Sequence, residues 1–531
     1  MMSYSVNSCD VKRYTDRLAL LLVLLLSAGL LFFQLDRPSL SVDEFVNVGI
    51  DVGSVSSILQ RLAVGNDLHP PLSHVFSSLW IGLFGQHEWT VRSIWAFVGV
   101  LTVAATYQLG RQLASTRAGI LSALLVCCLS TFLLYTRFVK YYSLTMCLAV
   151  LLALAFVGWY ERPLSSTRLF QYGVLLLVYL YTDYFGPAMW VLFSNLVVLA
   201  RFFSGNAEHK SQSYVRWVVA QGCVVLGWLP WIGFAGRQTS IVIHGLAAAD
   251  MSSGLFGTLI KAVYGMYSFS IGETLFPWHL PVVLGGVVIV VSLLRAVRVD
   301  GCRWSVPSVF WAAIFSIMSI LFVGVVLSTL IQGVPFVAFA NHILFVLPFY
   351  SVWLASGILK IQSPRLAYVA LAVVLSLRIE GLVNYFEGVE FHNPIYAVRT
   401  REIVEDLAKS AGPDDLVIAA PDTGVPFYVS RLPYWNTEIV NPFEGTEGVE
   451  FAEGNWPDRI WLFVFGRDRT RSVRLGQIKT LIDSRCAIEF DRGYAEQSPL
   501  YRQMKAVLFE RSAYRYKLSL YVYDCTGADY E

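Results

Sequence analysis

The chain has 531 residues, 56% of them hydrophobic and 15% charged, with a formal net charge of +2 and a mean hydropathy of +0.56. A soluble protein of this length would carry about a quarter charged residues, so a soluble globular fold is excluded. Backbone polar groups in lipid must be satisfied within each segment, which leaves a polytopic α-helical membrane protein. The net charge says nothing about nucleic acid, but the sequence has no basic tract that would bind it, and no nucleic-acid partner is expected.

In chain order, the first apolar run extends from Leu18 to Leu35 without a small-residue cleavage site. It therefore reads as a retained span near 18–36 rather than a signal peptide. Further spans are predicted near 90–110, 118–136, 142–160, 169–186, 187–203, 215–235, 279–297, 306–330, 336–357 and 366–382. That makes about 11 crossings, within a range of roughly 9–13. "PPLSHVFSSLWIGLFG" is short and opens on two prolines, so it is expected to lie at the membrane interface. The stretch from Leu255 to Phe276 contains Lys261 and Glu273 and reads as interfacial or re-entrant.

Arginine and lysine collect in short cytoplasmic loops. On this topology one side holds Lys12, Arg13 and Arg17, then Arg111 and Arg117, Arg162 and Arg168, and Arg201, Lys210 and Arg216. Arg295, Arg298 and Arg303, then Lys360 and Arg365, complete it, so every second connection is cationic. The N-terminus is thus expected in the cytoplasm and the 37–89 loop outside. A transmembrane domain would comprise residues 1–382, including that outer loop.

From about residue 383 short β-branched and aromatic runs ("RIWLFVFG", "CAIEFDRGY", "AVLFERS", "KLSLYVYDC") alternate with turns. Residues 383–531 are expected to form a small extracytoplasmic α/β domain. There Cys486 and Cys525, each at a strand edge, could pair in an oxidising compartment; two unpaired buried thiols are the alternative. Cys127, Cys128, Cys147 and Cys223 fall in apolar runs, and none of the cysteines has zinc-ligand spacing. Nothing in the chain demands a metal or a cofactor, and no glycine-rich phosphate loop is present.

Several polar residues stand at the outer boundary. Asp43 and Glu44 occupy what reads as a loop, "RPSLSVDEFVNVG". A carboxylate near an apolar interface suits a general base for a hydroxyl, since partial burial raises its proton affinity. One of the two would take the proton and the other would orient the acceptor. His69-Pro70-Pro71 forms a rigid extended step before the interfacial helix. Arg92 lies near the outer end of an apolar segment, where a cation is costly and defaults to a functional hypothesis. Arg137 and Lys140, three apart in "YTRFVKYYSL", would share a helical face. Fixed cations there suit a phosphate leaving group or anionic headgroups. Tyr142 reads as an interface or cavity-lining tyrosine and His69 as a cavity-lining or a helix-start residue without catalytic duty, while Asp183 and His342 line a cavity or sit satisfied between helices.

The order of a first span, an outer loop with "DE", "HPPL", an aromatic helix ending "LFG", "VRS", "LGRQL" and "YT…YYSL" resembles one known group. These are the membrane glycosyltransferases of the dolichyl-phosphate-mannose–protein mannosyltransferase superfamily, with the C-type glycosyltransferase fold. The nearest subgroup is that of bacterial glycosyltransferase family 39 and the lipopolysaccharide-core galacturonosyltransferase-like proteins. The likeness is specific over roughly residues 30–160 and looser beyond, although "LAKSAGPDDLVIAA" is similar to the outer domain of that group. It implies inverting transfer of a monosaccharide from a polyprenyl-phosphate donor to a glycan, lipid or protein hydroxyl at the outer face of a bacterial plasma membrane. The family's base falls on Asp43 and its arginine on Arg92. Two departures stand out: the family's Glu position is Phe138 with Lys140 in place of an arginine, and the late "RY" is Asn341-His342. A transporter or flippase of a lipid-linked substrate, and an acceptor-binding scaffold without catalysis, are the competing readings.

Overall fold

The computed structural model describes residues 8–63, 67–203, 210–245, 254–300, 306–331, 334, 336–393, 396, 399–420, 424–432, 435, 437–441, 456–465, 469–494 and 518–526. Arg303 and the "AVLFERS" run lie outside the described residues. The chain forms two compact units, Met1–Leu35 with Asn47–Glu387, and Asp36–Val46 with Gly388–Glu531. The boundary thus falls five residues later than expected (387 against 382), and segment 36–46, expected with the spans, groups with the C-terminal unit.

The first unit is helical. It contains α1 (Ser8–Phe32), the second half of α2 (Val42–Asp51), α3 (Val55–Ala63), α4 (Leu72–Phe84), α5 (Glu88–Leu113) and α6 (Thr116–Cys127). Then come α7 (Ser130–Thr136), α8 (Tyr142–Glu161), α9 (Ser166–Leu180), α10 (Phe185–Phe203), α11 (Lys210–Gly245) and α12 (Gly254–Ser270). The unit ends with α13 (Leu280–Asp300), α14 (Val309–Thr329), α15 (Phe339–His342), α16 (Leu347–Leu359) and α17 (Pro364–Glu387).

Among the described residues, 8 helices are long and apolar enough to cross a membrane, or 10 if each of two bent pairs is one span. The predicted single helix over 118–136 is one of those pairs: α6 and α7 meet at 67°. The other is the 336–357 segment, bent by 57° at its break. The count is one below the expected 11 because α9 has 15 residues, about 22 Å of rise against roughly 30 Å of hydrocarbon.

Small residues set the closest packing. A Cβ on Gly119 would stand 2.4 Å from the Tyr107 carbonyl oxygen, and one on Gly110 would stand 2.9 Å from Gly119 Cα. Only glycine at both places lets α5 and α6 approach backbone to backbone. Several of the cationic connections meet one another. Arg168 donates to the Gly158 carbonyl, Arg201 to that of Tyr160, and Arg216 to that of Leu164 at 2.7 Å. Arg295 Nε donates to the Lys360 carbonyl at 2.8 Å, bringing two more of the expected cytoplasmic connections together.

The second unit carries a five-stranded sheet: β1 (Leu416–Ala419), β2 (Glu438–Val440), β3 (Arg459–Phe465), β4 (Ala487–Tyr494) and β5 (Leu518–Asp524). Their order is β2-β1-β3-β5-β4. β1 runs parallel to β2 and β3, while β5 is antiparallel to β3 and β4. All four residues of β1 are buried, as expected of a strand covered on both faces. Helices α18 (Thr400–Ser410), α19 (Val425–Val429) and α20 (Arg469–Asp483) accompany the sheet. Cys486 and Cys525 form a disulfide just beyond the paired ends of β4 and β5.

Segment 36–46 is bound into this unit by specific contacts. Leu40 N donates to Tyr428 Oη at 2.6 Å, Arg401 N donates to Ser39 Oγ at 3.0 Å, and the Phe45 and Phe427 rings stack at 5.6 Å.

Candidate functional site

The residues of interest in the first unit converge from four short pieces of chain. The first is the end of α2, where Arg61 Nη1 donates to the carbonyls of Gly49, Ile50 and Val52 at 2.8–2.9 Å. A guanidinium on the last carbonyls of a helix meets the negative end of its dipole, and Asp51 is thereby fixed. The second is the turn from Asp67 to Pro71. Two prolines end it, so α4 starts at Leu72, whose N–H donates to the Tyr181 carbonyl at 2.9 Å. Gln238 of α11 donates to the Asp67 carbonyl at 3.2 Å. The third piece is the first turn of α4, with Ser73 and His74, and the fourth is the turn from Val139 to Tyr141. Asn47 Nδ2 joins that last turn to α2 by donating to the Val139 carbonyl at 2.8 Å.

Together these pieces wall a cavity of about 200 Å³ whose lining includes Asp51, Asp67, His69, His74, Lys140 and Tyr141. Four of these side chains form a line of alternating carboxylates and imidazoles. Asp51 Oδ1 lies 2.7 Å from His74 Nδ1, and His74 Nε2 is 3.6 Å from Asp67 Oδ2. Asp67 Oδ1 accepts from the His69 backbone N–H at 3.0 Å and is also bonded to His69 Nδ1. Side-chain exposure rises along the line, from 3% and 4% at Asp51 and His74 to 9% at Asp67 and 23% at His69. The line therefore runs from the protein interior to its open end at His69, whose ring packs 4.6 Å from that of Tyr141.

Charge decides the protonation of this cluster. Burial pushes the Asp67 carboxyl up, but His69, Lys140 and His74 together hold it far below the usual carboxylate range. Burial opposes a charged His74 imidazole, yet the hydrogen bond and charge of Asp51, with Asp67 beyond, raise its proton affinity. The geometry can therefore present one protonated imidazole backed by an ionised carboxylate. That pairing serves general acid–base chemistry or the binding of an anion. Among the described residues no group of three or more His, Cys, Asp or Glu side chains is arranged to hold a metal ion.

The sequence-predicted residues fall in several places. Asp43 and Glu44, expected in a loop, lie in the first turn of α2, in the part of that helix belonging to the second unit. Glu44 is buried, and its Oε2 accepts from Ser41 N at 2.9 Å, the carboxylate half of a capping box. Its carboxylate thus serves the helix start rather than standing open to orient an acceptor.

Arg137 and Lys140 do not share a helical face, because α7 ends at Thr136 and both lie in the following turn. Lys140 enters the cavity wall, with its ammonium 5.7 Å from the Tyr142 ring centroid. Arg137 turns to the end of α1, donating to the Phe33 and Gln34 carbonyls at 3.0 and 2.6 Å and lying over the Tyr385 and Phe386 rings. Arg92 donates to the next carbonyl, Leu35, at 3.2 Å.

Tyr142 is buried and accepts from Asn341 Nδ2 at 3.3 Å. Phe138, at the family's acid position, is also buried and packs on the Tyr142 ring at 5.7 Å. Asp183 accepts from Thr145 Oγ1 at 2.7 Å and from the Phe185 and Gly186 N–H groups at 3.2 Å, fixing the start of α10. The His342 ring meets that of Phe185 edge-on at 6.0 Å. Sequence reasoning missed Asp51, Asp67 and His74. One signal was present: "NDLHPPLSH" places an acid and two histidines within eight residues (67 to 74) beside a proline step.

With this geometry in view, comparison with known proteins is informative. Residues 68–228 match the family model described as dolichyl-phosphate-mannose-protein mannosyltransferase. The fold is similar to that of ArnT from Cupriavidus metallidurans in the apo state, with a TM-score of 0.52 at 13% identity, covering 94% of this chain and 97% of that one. For the same protein bound to undecaprenyl phosphate the TM-score is 0.50 at 12% identity, with the same coverage. The archaeal oligosaccharyltransferase AglB from Archaeoglobus fulgidus, in complex with an inhibitory peptide and a dolichol-phosphate, is also similar. Its TM-score is 0.46 at 13% identity, and the match covers 78% of this chain but only 63% of that one. No curated protein matches the sequence. The chain is a multi-pass membrane protein with the C-type glycosyltransferase fold that its sequence motifs resemble.

Proposed function

We propose that this protein is a membrane glycosyltransferase that moves a monosaccharide from a polyprenyl-phosphate donor to an acceptor hydroxyl at the outer membrane face. The observation that carries this reading is a cavity, within a fold shared almost end to end with ArnT, where Lys140 and a carboxylate-backed His69 converge. A lysine ammonium and an imidazole N–H donor at the rim of an apolar bundle suit a ligand whose head is a phosphate and whose tail is lipid. ArnT in its bound form holds undecaprenyl phosphate, a molecule of that kind.

In this mechanism the phosphate rests against Lys140 and His69. Asp43 removes the acceptor proton as the hydroxyl attacks the anomeric carbon opposite the phosphate, inverting its configuration. Glu44 keeps the first turn of α2 formed, so that Asp43 has a fixed backbone. Arg92 and Arg137, the other cations proposed for the phosphate, also donate to the carbonyls at the end of α1.

The test uses purified full-length protein in detergent or vesicles with labelled polyprenyl-phosphate sugar and a mixed glycolipid acceptor. The expected result is release of polyprenyl phosphate, reduced about 10²–10⁴-fold in Asp43→Asn, the range of a lost general base. Transfer of intact labelled lipid across the bilayer without cleavage, unaffected by that substitution, would make the protein a carrier instead.

A further inference from the structure

We propose that His69 is a general acid: it gives its Nε2 proton to the phosphate oxygen as the sugar–phosphate bond breaks, and Asp67, backed by His74 and Asp51, is its positioning residue. The proposal rests on the transferase reading above and adds a proton to its leaving-group side.

Asp67 Oδ1 binds both the His69 backbone N–H and its Nδ1, so ring rotation and tautomer are set by one carboxylate atom. With Nδ1 engaged, Nε2 is the nitrogen left to meet a ligand in the cavity that the ring lines. The groups around the ring are Asp67 on its own turn, Tyr141 against its face, Lys140 beside Asp67, and Asp183 from the turn before α10. His74 and Asp51 stand behind Asp67. Lys140 is a fixed cation there, whereas the His69 ring offers an imidazole N–H as a proton donor to the ligand.

The chemistry balances. A lone pair of the acceptor oxygen forms the bond to the anomeric carbon, and the electrons of the carbon–oxygen bond pass to the phosphate oxygen. That oxygen takes the His69 proton, the acceptor proton goes to the base, and the two groups reset by exchanging one proton with water. An imidazole and a phosphate monoester titrate within about one unit of each other, near pH 6–6.5. Transfer between them is therefore close to isoenergetic, the condition for effective acid catalysis.

A purely electrostatic role makes different predictions, and His69→Lys separates the two. Lysine keeps the positive charge but is a far weaker acid, with an ordinary pKa of about 10.4. Binding of polyprenyl phosphate to His69→Lys is expected to stay within about 3-fold of wild type, while turnover falls about 10²-fold. The decline of wild-type kcat as pH rises past the imidazole range should vanish with it. Asp67→Asn should move that decline to lower pH, and Asp67→Glu should restore it. His69→Gln, measured beside them, must also lose the decline. A wild-type rate and an unchanged pH profile in His69→Lys or His69→Gln would overturn the proposal while leaving the transferase reading intact. A wild-type protein that binds polyprenyl phosphate but cleaves no polyprenyl-phosphate sugar would overturn the transferase reading, and this proposal with it.

Discussion

The end of α1 and the cavity walled by α2 and α4 both hold buried charge in the same helical unit, and they hold it differently. At the end of α1, Arg92 and Arg137 are bonded to three consecutive backbone carbonyls, Phe33 to Leu35. Carbonyl oxygens do not titrate, and they are in place whenever the helix is. The two cations therefore stabilise a chain end and have no proton to exchange. In the cavity the carboxylates are bonded to titratable side chains, Asp51 to His74 and Asp67 to His69. There protonation can change while the fold stays put. A buried charge answered by backbone is scaffold; one answered by a side chain of adjustable charge can do chemistry.

Three substitutions can break or sharpen that contrast. The largest effect belongs to Arg137→Met, which removes two charge-assisted bonds to carbonyls and a cation–π contact. A loss of about 3–5 kcal/mol in unfolding free energy is expected, measured by denaturant titration in detergent, with activity lost only in proportion to fold. A stable variant with weakened polyprenyl-phosphate binding would instead move Arg137 to the chemical side of the comparison.

Next comes Glu273, a buried carboxylate answered only by hydroxyls, Tyr135 Oη at 3.0 Å and Ser268 Oγ at 2.9 Å. Burial raises its pKa to about 7. The native state then holds a proton that the unfolded chain has released, so stability declines as pH rises from the ordinary glutamate range through 7. Glu273→Gln should remove roughly 3 kcal/mol of that decline between pH 4.5 and 8, read from unfolding at the two pH values. Equal slopes in the two proteins would show that Glu273 is ionised throughout.

The smallest effect concerns Asp67 and stability alone. Its carboxyl titrates well below the usual range in the folded state, so its contribution is present above about pH 4 and fades as pH falls below that. Asp67→Asn should flatten the acid limb of the melting curve and, because the Asp67 charge also supports the His74 proton, make the limb above pH 7 shallower. There the His74 contribution, with proton affinity raised by Asp51, is lost as pH climbs. A steeper acid limb in the variant would contradict the assignment.

Much of the fold was legible because its signals are local. Runs of about twenty apolar residues marked α5, α8 and α14 within a few residues of their ends, while α1 starts ten residues before its expected span. The double proline at 70–71 marked where α4 begins, and the paired ends of β4 and β5 explain why Cys486 and Cys525 meet. The site was less legible. Lys140 and His69 were singled out and do meet in one cavity. The pairing of Arg137 with Lys140 assumed that the helix continues past Thr136, and the turn there sends them apart. Asp51 and His74 were not singled out, because nothing in their separation along the chain marks them as bonded to each other.

Sequence alone determined where the chain enters an apolar medium, which segments are helical, and which residues cannot be there without a reason. Those properties depend on neighbours a few positions away, through hydrophobic transfer, helical period and the fixed torsion of proline. The tertiary structure alone decided which charge answers which. Electrostatic pairing depends on distance in space, and residues 51, 67, 74 and 140 are brought within reach of one another only when α2, α4 and the turn before α8 close around one cavity.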